Sequence, residues 1–531
     1  MLRSLFTHLF PEKQTAAPKL DTLLLDARAK RDTADWEAAQ IAYKRVLELD
    51  ARHPEALLAT ANIAYLLGGR DAAVSAFEDY LAIEPDNLDA RNMLGRIHAE
   101  LGQLHVAIRH YARVREKDSR FQQVAHLILL YSAFDADMDA RRRREIHEDW
   151  ARQNADYLLE APSVAVARSE DGRRRVGYVS AFFSNHPIAD FVAPILRHHD
   201  RRKWQVFVYS DVAVPDSVTR ALQALNVEWR DCAGLDDADF AAQVRADGIE
   251  VLVDLAGHNA TNRLLAFARR LAPVQVTGIG YAGTTGLKAM DYRLADPVAD
   301  YGTDEHYSER LLRLPRCLWC YEPPAAMPDI GPLPAGASGT VTFVSLNAAI
   351  KLTEETLVVW ARILGRVPDS RLTLTTVVPG SPRQRIVASL ERHGVNPSRV
   401  TFVPPMPREQ FWSLYGQSDI ALDTWPCNGG TTTFEALWGG LPVVVLAGTE
   451  FRSRAGAAIL TAAGITELVA QDKEHYVEIA VSLAEDRTRL AALRSGLRGR
   501  LQASGLLDGP RYARELEHCY ETALADAAIR D

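Results

Sequence analysis

A repeat of 34 residues constrains the N-terminal part of this 531-residue chain more than any other feature. When the chain is aligned with itself at that offset, three blocks coincide: Leu20–His53, Pro54–Asn87 and Leu88–Phe121. Each block carries small residues at its eighth and twentieth positions and an aromatic residue at its twenty-fourth. These residues are Ala27, Ala61 and Gly95, then Ala39, Ala73 and Ala107, then Tyr43, Phe77 and Tyr111. Small residues let paired helices approach closely and an aromatic ring fills the groove beside them, so the pattern predicts a stack of helical hairpins.

This repeat resembles the tetratricopeptide repeat (TPR), and three copies are near the minimum for a stable stack. We expect a TPR solenoid over residues 20–121, followed by capping helices and a linker over residues 122–170. The polar segment Arg168–Arg175 is the expected end of that linker. Within the cap, Arg141–Arg144 is a run of four arginines. Such a run is typical of a solvated helix face paired with nearby acids, and it also fits a docking patch for an acidic substrate.

After the linker the hydrophobic pattern changes to short β-rich runs separated by helical stretches, which predicts parallel sheets covered by helices. The runs form two sets: Val176–Ser180, Trp204–Ser210, Ile249–Leu255, Val274–Tyr281 and Leu311–Pro315, then Val341–Leu346, Arg371–Val377, Val400–Val403, Asp419–Asp423 and Pro442–Leu446. We therefore expect two Rossmann-like lobes, over residues 171–325 and 338–524, joined by a loop from Glu322 to about Ser338. A helical tail, Glu474–Leu524, should pack back on the lobes. Ligands bind outside the carboxyl ends of parallel strands, so the site should lie in a cleft between the lobes.

Composition narrows the range of partners and compartments. The net charge of −8 and pI near 6.0 argue against nucleic acid or an anionic membrane as the main partner. Five unevenly spaced cysteines do not form a disulfide framework and indicate a reducing compartment. Cys317 and Cys320 form a single CxxC pair, for which core packing is favoured over metal or redox use. The opening segment, Met1–Phe10, is a poor signal peptide and no apolar run approaches the ~18 residues of a spanning helix, so the chain is predicted to be cytoplasmic.

The segment Leu422–Trp438 contains the densest group of candidate binding residues. A β-rich run ends near Asp423, and a Gly429–Gly430 turn leads into Thr431, Thr432 and Thr433 at the start of a predicted helix. A helix N-terminus offers free amides and partial positive charge to a phosphate, and threonine hydroxyls add donors. Plain N-capping by threonine explains the same pattern.

Two further residues have both a functional and a plain explanation. Lys351 follows the first strand of the second set, where a cation can neutralise a departing diphosphate, although a surface lysine is the more common explanation of a single lysine there. His186 follows the first strand of the first set, where it can act as a general base or orient an acceptor, or simply be a loop histidine.

From Arg175 to about Tyr520 the chain resembles the O-linked N-acetylglucosamine transferase family, glycosyltransferase family 41, which includes the plant SPINDLY branch. Several separated motifs recur in the family's order, and N-terminal TPRs before such a region also fit the family. The motifs are Val176–Ser180, Asn185–Pro187, Leu271–Val276, Gly280–Gly286, Met290–Tyr292, Asn347–Lys351, Val367–Leu372, Leu422–Thr424 and Asn428–Thr433.

The resemblance implies a GT-B fold, no required metal or cofactor, and inverting transfer of a sugar to Ser or Thr of a protein. It implies that Lys351 stabilises the leaving diphosphate and that His186 lies beside the acceptor hydroxyl. Protein acceptors are expected in the TPR groove, and the nucleotide sugar on the second lobe. The remaining residues implied to bind the nucleotide sugar are Thr431, Thr432, Thr433 and Gly430 at the phosphate turn, Glu435 at the ribose, Phe411 at the base, Asn347, and Arg263 in a first-lobe loop.

Departures from the animal enzymes leave the donor open. Ile350, Gly430 and Ala260 stand where those enzymes have tyrosine, histidine and lysine. The stretches Leu255–Arg263 and Cys317–Pro323 are similar to the SPINDLY branch, which implies a GDP-fucose donor. UDP-N-acetylglucosamine is the first choice and GDP-fucose the alternative. An inactive scaffold whose TPR groove binds a partner is the third hypothesis, and the acceptor side chain, Ser, Thr or Asn, stays open.

Overall fold

A computed structural model describes residues 20–118, 122–160, 171–259 and 261–530. The expectations for Met1–Phe10, for Phe121, for the linker residues before 171 and for Ala260 lie outside the described residues. The chain divides into two compact units. The first contains the described residues up to Leu101 together with Pro379–Ser381, and the second contains the rest.

The first unit consists of paired helices built on the repeat. The small and aromatic repeat residues are its core, since Ala27, Ala39, Tyr43 and Phe77 are completely buried. Gly68 lies in the turn that follows the first helix of the second repeat. Its φ of +83° is a conformation that favours glycine, and it ends the helix. The helices are α1 (Leu20–Asp32), α2 (Trp36–Leu49), α3 (Pro54–Leu66), α4 (Arg70–Leu81) and α5 (Leu88–Glu100).

The second unit begins with three helices, α6 (Leu104–Lys117), α7 (Gln122–Ser132) and α8 (Ala140–Asn154). The arginine run lies on α8, where Arg141 and Arg142 pair with Glu145 on the same helix. These two arginines are exposed and paired as a solvated helix face would be. Arg143 is different because it is largely buried and forms an ion pair with Glu450 of the second lobe.

The first lobe contains a seven-stranded parallel sheet in the order β3-β2-β1-β4-β5-β6-β7. Its central strands are apolar on both faces because helices cover both sides, and Val176, Val251 and Val274 are fully buried. The strands are β1 (Arg174–Ser180), β2 (Trp204–Ser210), β3 (Glu228–Asp231), β4 (Val251–Asp254), β5 (Val274–Thr277), β6 (Tyr292–Ala295) and β7 (Arg310–Arg313).

The second lobe contains a six-stranded parallel sheet in the order β10-β9-β8-β11-β12-β13. The two sheets confirm the prediction of two Rossmann-like lobes after a helical N-terminal stretch. The strands are β8 (Thr342–Ser345), β9 (Arg371–Thr375), β10 (Val400–Val403), β11 (Ile420–Leu422), β12 (Val443–Leu446) and β13 (Val469–Ala470).

Fourteen α-helices of the described residues connect and cover these strands. A short one, Pro334–Ser338, occupies the end of the segment that was expected to be a loop, since proline is well placed in a first helical turn. They are α9 (Pro187–His198), α10 (Ser217–Gln223), α11 (Asp237–Ala246), α12 (Leu264–Phe267), α13 (Pro334–Ser338), α14 (Glu354–Arg366), α15 (Ser381–Arg392), α16 (Arg408–Phe411), α17 (Ser413–Gln417), α18 (Thr431–Trp438), α19 (Ala455–Ala462), α20 (Lys473–Glu485), α21 (Arg487–Ala503) and α22 (Gly509–Arg530).

The last helix, α22, returns to the first lobe, as the tail was expected to pack back on the lobes. Glu517 accepts a hydrogen bond from the backbone amide of Asp200 at 2.8 Å, and its carboxylate lies 2.8 Å from His199 Nδ1. The Tyr520 hydroxyl lies 3.2 Å from that of Tyr178 on β1. The chain therefore crosses from the first lobe to the second and back again.

Two smaller observations concern the cysteines and the membrane. Cys317 and Cys320 are free, buried thiols, and burial raises the pKa of both, as expected for core packing. Among the helices that the structure describes, none has the length and apolar character needed to cross a bilayer.

Candidate active site

The N-terminus of α18 is the centre of the candidate site. Its first turn follows Gly429 and Gly430, and a side chain at Gly429 would clash with the Thr432 hydroxyl. Gly430 is the N-cap, and in the described chain no side chain caps this helix. The amides of a first helical turn have no partners within the helix, so this turn keeps donors for an anion.

The three threonines of that turn have different environments. Thr433 is buried, and its hydroxyl donates to the Gly429 carbonyl at 3.0 Å, which is a local contact that holds the turn. Thr431 and Thr432 are only half-buried. The Thr432 hydroxyl lies 3.4 Å from Asn347 Oδ1. Of the three hydroxyls, those of Thr431 and Thr432 are therefore positioned to meet a ligand.

Lys351 lies directly beside this turn, at the end of the 3₁₀ turn Ala349–Lys351 that follows β8. Its ammonium donates to the Asn428 carbonyl at 2.7 Å and lies 3.3 Å from Asn347 Oδ1. An ammonium has three protons, so one donor remains after these two contacts. Two loops that are 77 residues apart in the chain thus place a cation at the start of α18.

Asn347 and Asp423 hold the two loops together. Asn347 Nδ2 donates to Asp423 Oδ1 at 2.8 Å, and the same oxygen accepts from the Gly429 amide at 2.8 Å. Burial raises the Asp423 pKa to about 6. Within the described chain, Asp423 Oδ2 has no hydrogen-bond partner. Sequence reasoning missed Asp423 as a site residue, and the available signal was its place directly after a buried strand at the sheet edge.

Glu435 is buried one turn into α18, where its carboxylate already has four hydrogen bonds. Oε1 accepts from Arg408 Nη2 at 2.8 Å, from Arg408 Nε at 3.2 Å and from Trp412 Nε1 at 3.2 Å. Oε2 accepts from the Tyr415 hydroxyl at 2.7 Å. Arg408 also pairs with Asp190 on α9 of the first lobe. In this structure Glu435 takes part in a bridge between the lobes, and ribose binding by its carboxylate stays a prediction.

Phe411 ends α16. Its ring is half-buried and meets the Tyr415 ring edge to face, with centroids 6.1 Å apart. The ring also packs against the main hydrophobic cluster, so its environment fits both a stacking surface and a core aromatic. Its contact with a base stays a prediction.

His186 lies in the first lobe, at the N-cap of α9. Its Nδ1 accepts from the Ile188 amide at 3.3 Å, and its ring stacks on Phe182 with centroids 4.3 Å apart. Burial, together with the positive charge of Arg408, lowers its pKa to about 4. The ring is then neutral at pH 7, and because Nδ1 is an acceptor, the proton resides on Nε2. This tautomer donates a hydrogen bond from Nε2, which suits orientation of an acceptor hydroxyl more than removal of its proton.

Arg263 is the predicted site residue that the structure does not bring to the others. All five of its guanidinium hydrogens have acceptors at the carboxyl edge of the first sheet. Asp211 accepts two of them, at 2.7 and 2.8 Å, and Asp237 accepts a third at 3.1 Å. The carbonyls of Cys232 and Leu235 accept the other two. Arg263 therefore ties first-lobe loops together and holds no donor in reserve for a ligand.

The chain is similar to known proteins in both sequence and fold. Residues 157–324 and 333–516 match the family model of glycosyl transferase family 41. A protein of Arabidopsis thaliana described as the probable UDP-N-acetylglucosamine–peptide N-acetylglucosaminyltransferase SPINDLY is 39% identical over 385 residues, which cover 71% of this chain and 42% of that protein. The corresponding SEC protein of Arabidopsis thaliana is 30% identical over 363 residues, 66% of this chain and 37% of that protein.

A solved structure matches almost the whole chain. It is a mutant of the O-GlcNAc transferase of Thermobaculum terrenum, with a TM-score of 0.84 and 35% identity, over 96% of this chain and 98% of that one. In contrast, the chain spans about two fifths of the length of the curated plant relatives it matches. The similarity therefore covers both lobes and the helices before them, while the plant proteins contain further sequence.

Proposed function

Because this chain belongs to glycosyltransferase family 41, we propose that it is an inverting protein O-glycosyltransferase that uses a nucleotide-sugar donor. The observation that carries the proposal is the position of the Lys351 ammonium beside the uncapped first turn of α18. A cation and a helix N-terminus at one sheet edge form a site for a diphosphate. The acceptor is the hydroxyl of a serine or threonine of a protein.

The reaction follows from what these groups stabilise. The acceptor oxygen forms a bond to the anomeric carbon and gives up its hydroxyl proton to the departing diphosphate or to solvent, while the bond from that carbon to the diphosphate breaks, which inverts the configuration. Negative charge grows on the leaving nucleoside diphosphate, and Lys351 with the hydroxyls of Thr431 and Thr432 is placed to stabilise it. His186 donates from Nε2 and orients the acceptor across the cleft. Since a lysine supplies the positive charge, no metal ion or cofactor is required.

The proposed donor is UDP-N-acetylglucosamine, with GDP-fucose as the alternative. The SPINDLY and SEC proteins of Arabidopsis thaliana are both described as probable UDP-N-acetylglucosamine–peptide N-acetylglucosaminyltransferases, which supports the first donor. Ile350 and Gly430 depart from the animal pattern, and the SPINDLY-like stretches of the first lobe imply the second donor. The two donors differ in base, so nucleotide binding separates them.

Thermal unfolding with UDP, GDP and ADP at millimolar concentration tests this function. A ligand that binds the native state stabilises it by about 2.7 kcal/mol at a hundredfold excess over its Kd. A shift with UDP supports transfer of N-acetylglucosamine, and a shift with GDP alone moves the donor to GDP-fucose. ADP is the matched control for diphosphate binding without base recognition. Absence of a shift with all three contradicts the proposal and favours the inactive scaffold.

We assign acceptor docking to the TPR groove and place the protein in the cytoplasm, without a nucleic acid or membrane partner. Deleting residues 1–101, most of the first unit, should leave donor hydrolysis unchanged and reduce modification of a protein acceptor by roughly tenfold or more, because a second point of attachment is lost. A short peptide acceptor is the control, since it should be modified equally by both forms. Undiminished modification of the protein would contradict docking on the repeats.

A further inference from the structure

A short 3₁₀ turn after β12, Phe451–Ser453, contacts three different parts of the second unit. The Phe451 ring packs against Trp319 of the first lobe, with ring centroids 5.6 Å apart. The Arg452 side chain reaches the turn between α7 and α8, and the Arg452 backbone contacts the loop before α18. This turn has no assigned role in the chemistry above.

The Arg452 guanidinium lies in a cage of backbone carbonyls. The residue is only 5% exposed, and Nη1 donates to the carbonyls of Ala133 and Asp135, both at 2.8 Å. Nη2 donates to the Met138 carbonyl at 3.1 Å. These three carbonyls belong to the turn between α7, which ends at Ser132, and α8, which begins at Ala140. Arg452 of the second lobe therefore holds the α7–α8 turn.

The backbone of the same residue supports the candidate active site. The Arg452 carbonyl accepts from the Asn428 amide at 2.7 Å. The Asn428 carbonyl in turn accepts from the Lys351 ammonium at 2.7 Å. Arg452 and Asn428 thus connect the α7–α8 turn by hydrogen bonds to Lys351, which lies beside the first turn of α18.

The 3₁₀ turn is stiff enough to transmit position between its two ends. Glu450 and Ser453 bond each other's backbone amides as a capping box, which fixes the turn around Arg452. Arg143 of α8 forms an ion pair with Glu450, so a second side chain ties the same turn to the same helices. A displacement of the α7–α8 turn must therefore move the Arg452 carbonyl or break several contacts.

We propose that Arg452 is a positioning residue for Lys351, and that it couples the α7–α8 turn to the diphosphate site. The guanidinium holds the turn, the carbonyl holds Asn428, and Asn428 sets the ammonium against the first turn of α18. The assignment of the lysine to the diphosphate rests on the proposed function, whereas the coupling itself rests on these hydrogen bonds. A purely structural arginine would stabilise the α7–α8 turn and leave the loop before α18 unchanged.

Hydrogen exchange of the nucleotide-free protein tests the coupling. Arg452→Met keeps the apolar stem and removes the bonds to the carbonyls, and the Asn428 amide should then exchange roughly fivefold faster or more. The matched control is Arg399→Met, because Arg399 closes the end of α14 through the carbonyls of Leu364, Val367 and Ser370. Faster exchange around Asn428 in Arg452→Met alone supports the proposal. Equal exchange there in both variants, or unchanged exchange in Arg452→Met, overturns it.

A titration with UDP and GDP then separates this inference from the proposed function. If either nucleotide binds, Arg452→Met should weaken it about tenfold, Arg452→Lys should recover part of the loss, and Arg452→Met should add little once Lys351 is replaced by Met. Additive losses in the double variant overturn the positioning role. If the unmodified protein binds neither nucleotide, the proposed function fails, while the exchange experiment still decides whether Arg452 positions the loop.

Discussion

The two parallel sheets have similar strand orders, but polar groups at their carboxyl edges differ in how completely they are hydrogen-bonded. At the first edge, each N–H of the Arg263 guanidinium has an acceptor. His258 there is also fully bonded, with Nε2 2.8 Å from the Thr285 carbonyl and Nδ1 2.8 Å from His126 Nδ1. At the second edge, Lys351 keeps a free proton, and within the described residues Asp423 Oδ2 and Asn428 Oδ1 lack partners.

This difference shows that fold alone does not identify a ligand site. Both edges lie where ligands of parallel sheets usually bind. Buried polar groups without partners cost free energy, so a protein that keeps them needs a reason such as a ligand. Saturated bonding around Arg263 and His258 makes that part of the first edge a rigid wall, whereas the free proton of Lys351 and the uncapped first turn of α18 make the second edge the candidate site for an anion.

The largest expected effect is on the stability of the first edge. Arg263→Met leaves the largely buried carboxylate of Asp211 without its partner and should lower the free energy of unfolding by about 3–5 kcal/mol. Urea denaturation measures this loss. Arg197→Met is the control, because its pair with Glu322 is exposed and should contribute about 1 kcal/mol or less. If Arg263→Met leaves stability intact but abolishes nucleotide binding, the assignment of the two edges is reversed.

At the second edge, a substitution should reduce turnover and leave the free energy of unfolding almost unchanged. Lys351→Ala removes a cation that stabilises the leaving group, so turnover should fall ~10²-fold or more, while the free energy of unfolding changes little. Initial rates of donor hydrolysis and urea denaturation provide the two measurements. Lys473→Ala, which removes an exposed lysine paired with Glu355, should alter neither quantity. Near-normal turnover of Lys351→Ala is incompatible with its proposed role.

Lowering the pH should change the free energy of unfolding in opposite directions through the titratable groups of the two edges. Burial lowers the pKa of His126 and His147 to about 4, so between pH 6.5 and 4 the unfolded chain binds protons that the folded chain does not. Each such histidine should reduce the free energy of unfolding by about 1.4 kcal/mol per pH unit as the pH falls through that window. The pKa of Asp423 is raised to about 6, so between pH 6 and 3.8 its carboxylate binds a proton in the folded chain but not in the unfolded chain. This proton uptake increases the free energy of unfolding as the pH falls and so opposes the loss caused by the histidines.

Urea denaturation at pH 7.5, 6.5 and 5.5 measures the slope. His126→Gln should reduce the loss of stability on acidification, because one proton fewer is taken up on unfolding. Asp423→Asn should make the loss steeper, because the opposing proton uptake is removed. A pH-independent free energy of unfolding over this range would contradict neutral, buried histidines at the first edge.

The architecture was accessible from sequence because it depends on local periodicity. The repeat residues Ala27, Ala39 and Tyr43 are buried as expected, and ten strands lie within or next to the predicted runs. Three strands were missed: Glu228–Asp231, Tyr292–Ala295 and Val469–Ala470. The first is an edge strand with two exposed residues and the last has two residues, so neither carries a hydrophobic pattern.

Part of the candidate site was also predictable, because it depends on the order of strands in the second sheet. Lys351 and Thr431 follow strands that are neighbours in the sheet, so the sheet rule was enough to bring them together. Arg452 and Arg408 were missed because each has a decisive partner far away in the chain, Ala133 for Arg452 at 319 residues and Asp190 for Arg408 at 218 residues. The saturation of Arg263 also had no sequence signal, since its acceptors include the carbonyls of Leu235 and Cys232, which any residue type supplies.

The return of the chain from the second lobe to the first has a mechanical consequence. The two crossing segments are bonded to each other, since the Tyr321 amide donates to the Leu506 carbonyl at 2.9 Å. A bonded pair of crossings at one place suits hinge rotation of the lobes more than sliding of one lobe along the other. Opening of the cleft would then separate Asp190 from Arg408 while preserving the alignment of the lobes. Each closure would return Asp190 to Arg408, so the relative position of the two lobes would be set by the hinge in every cycle.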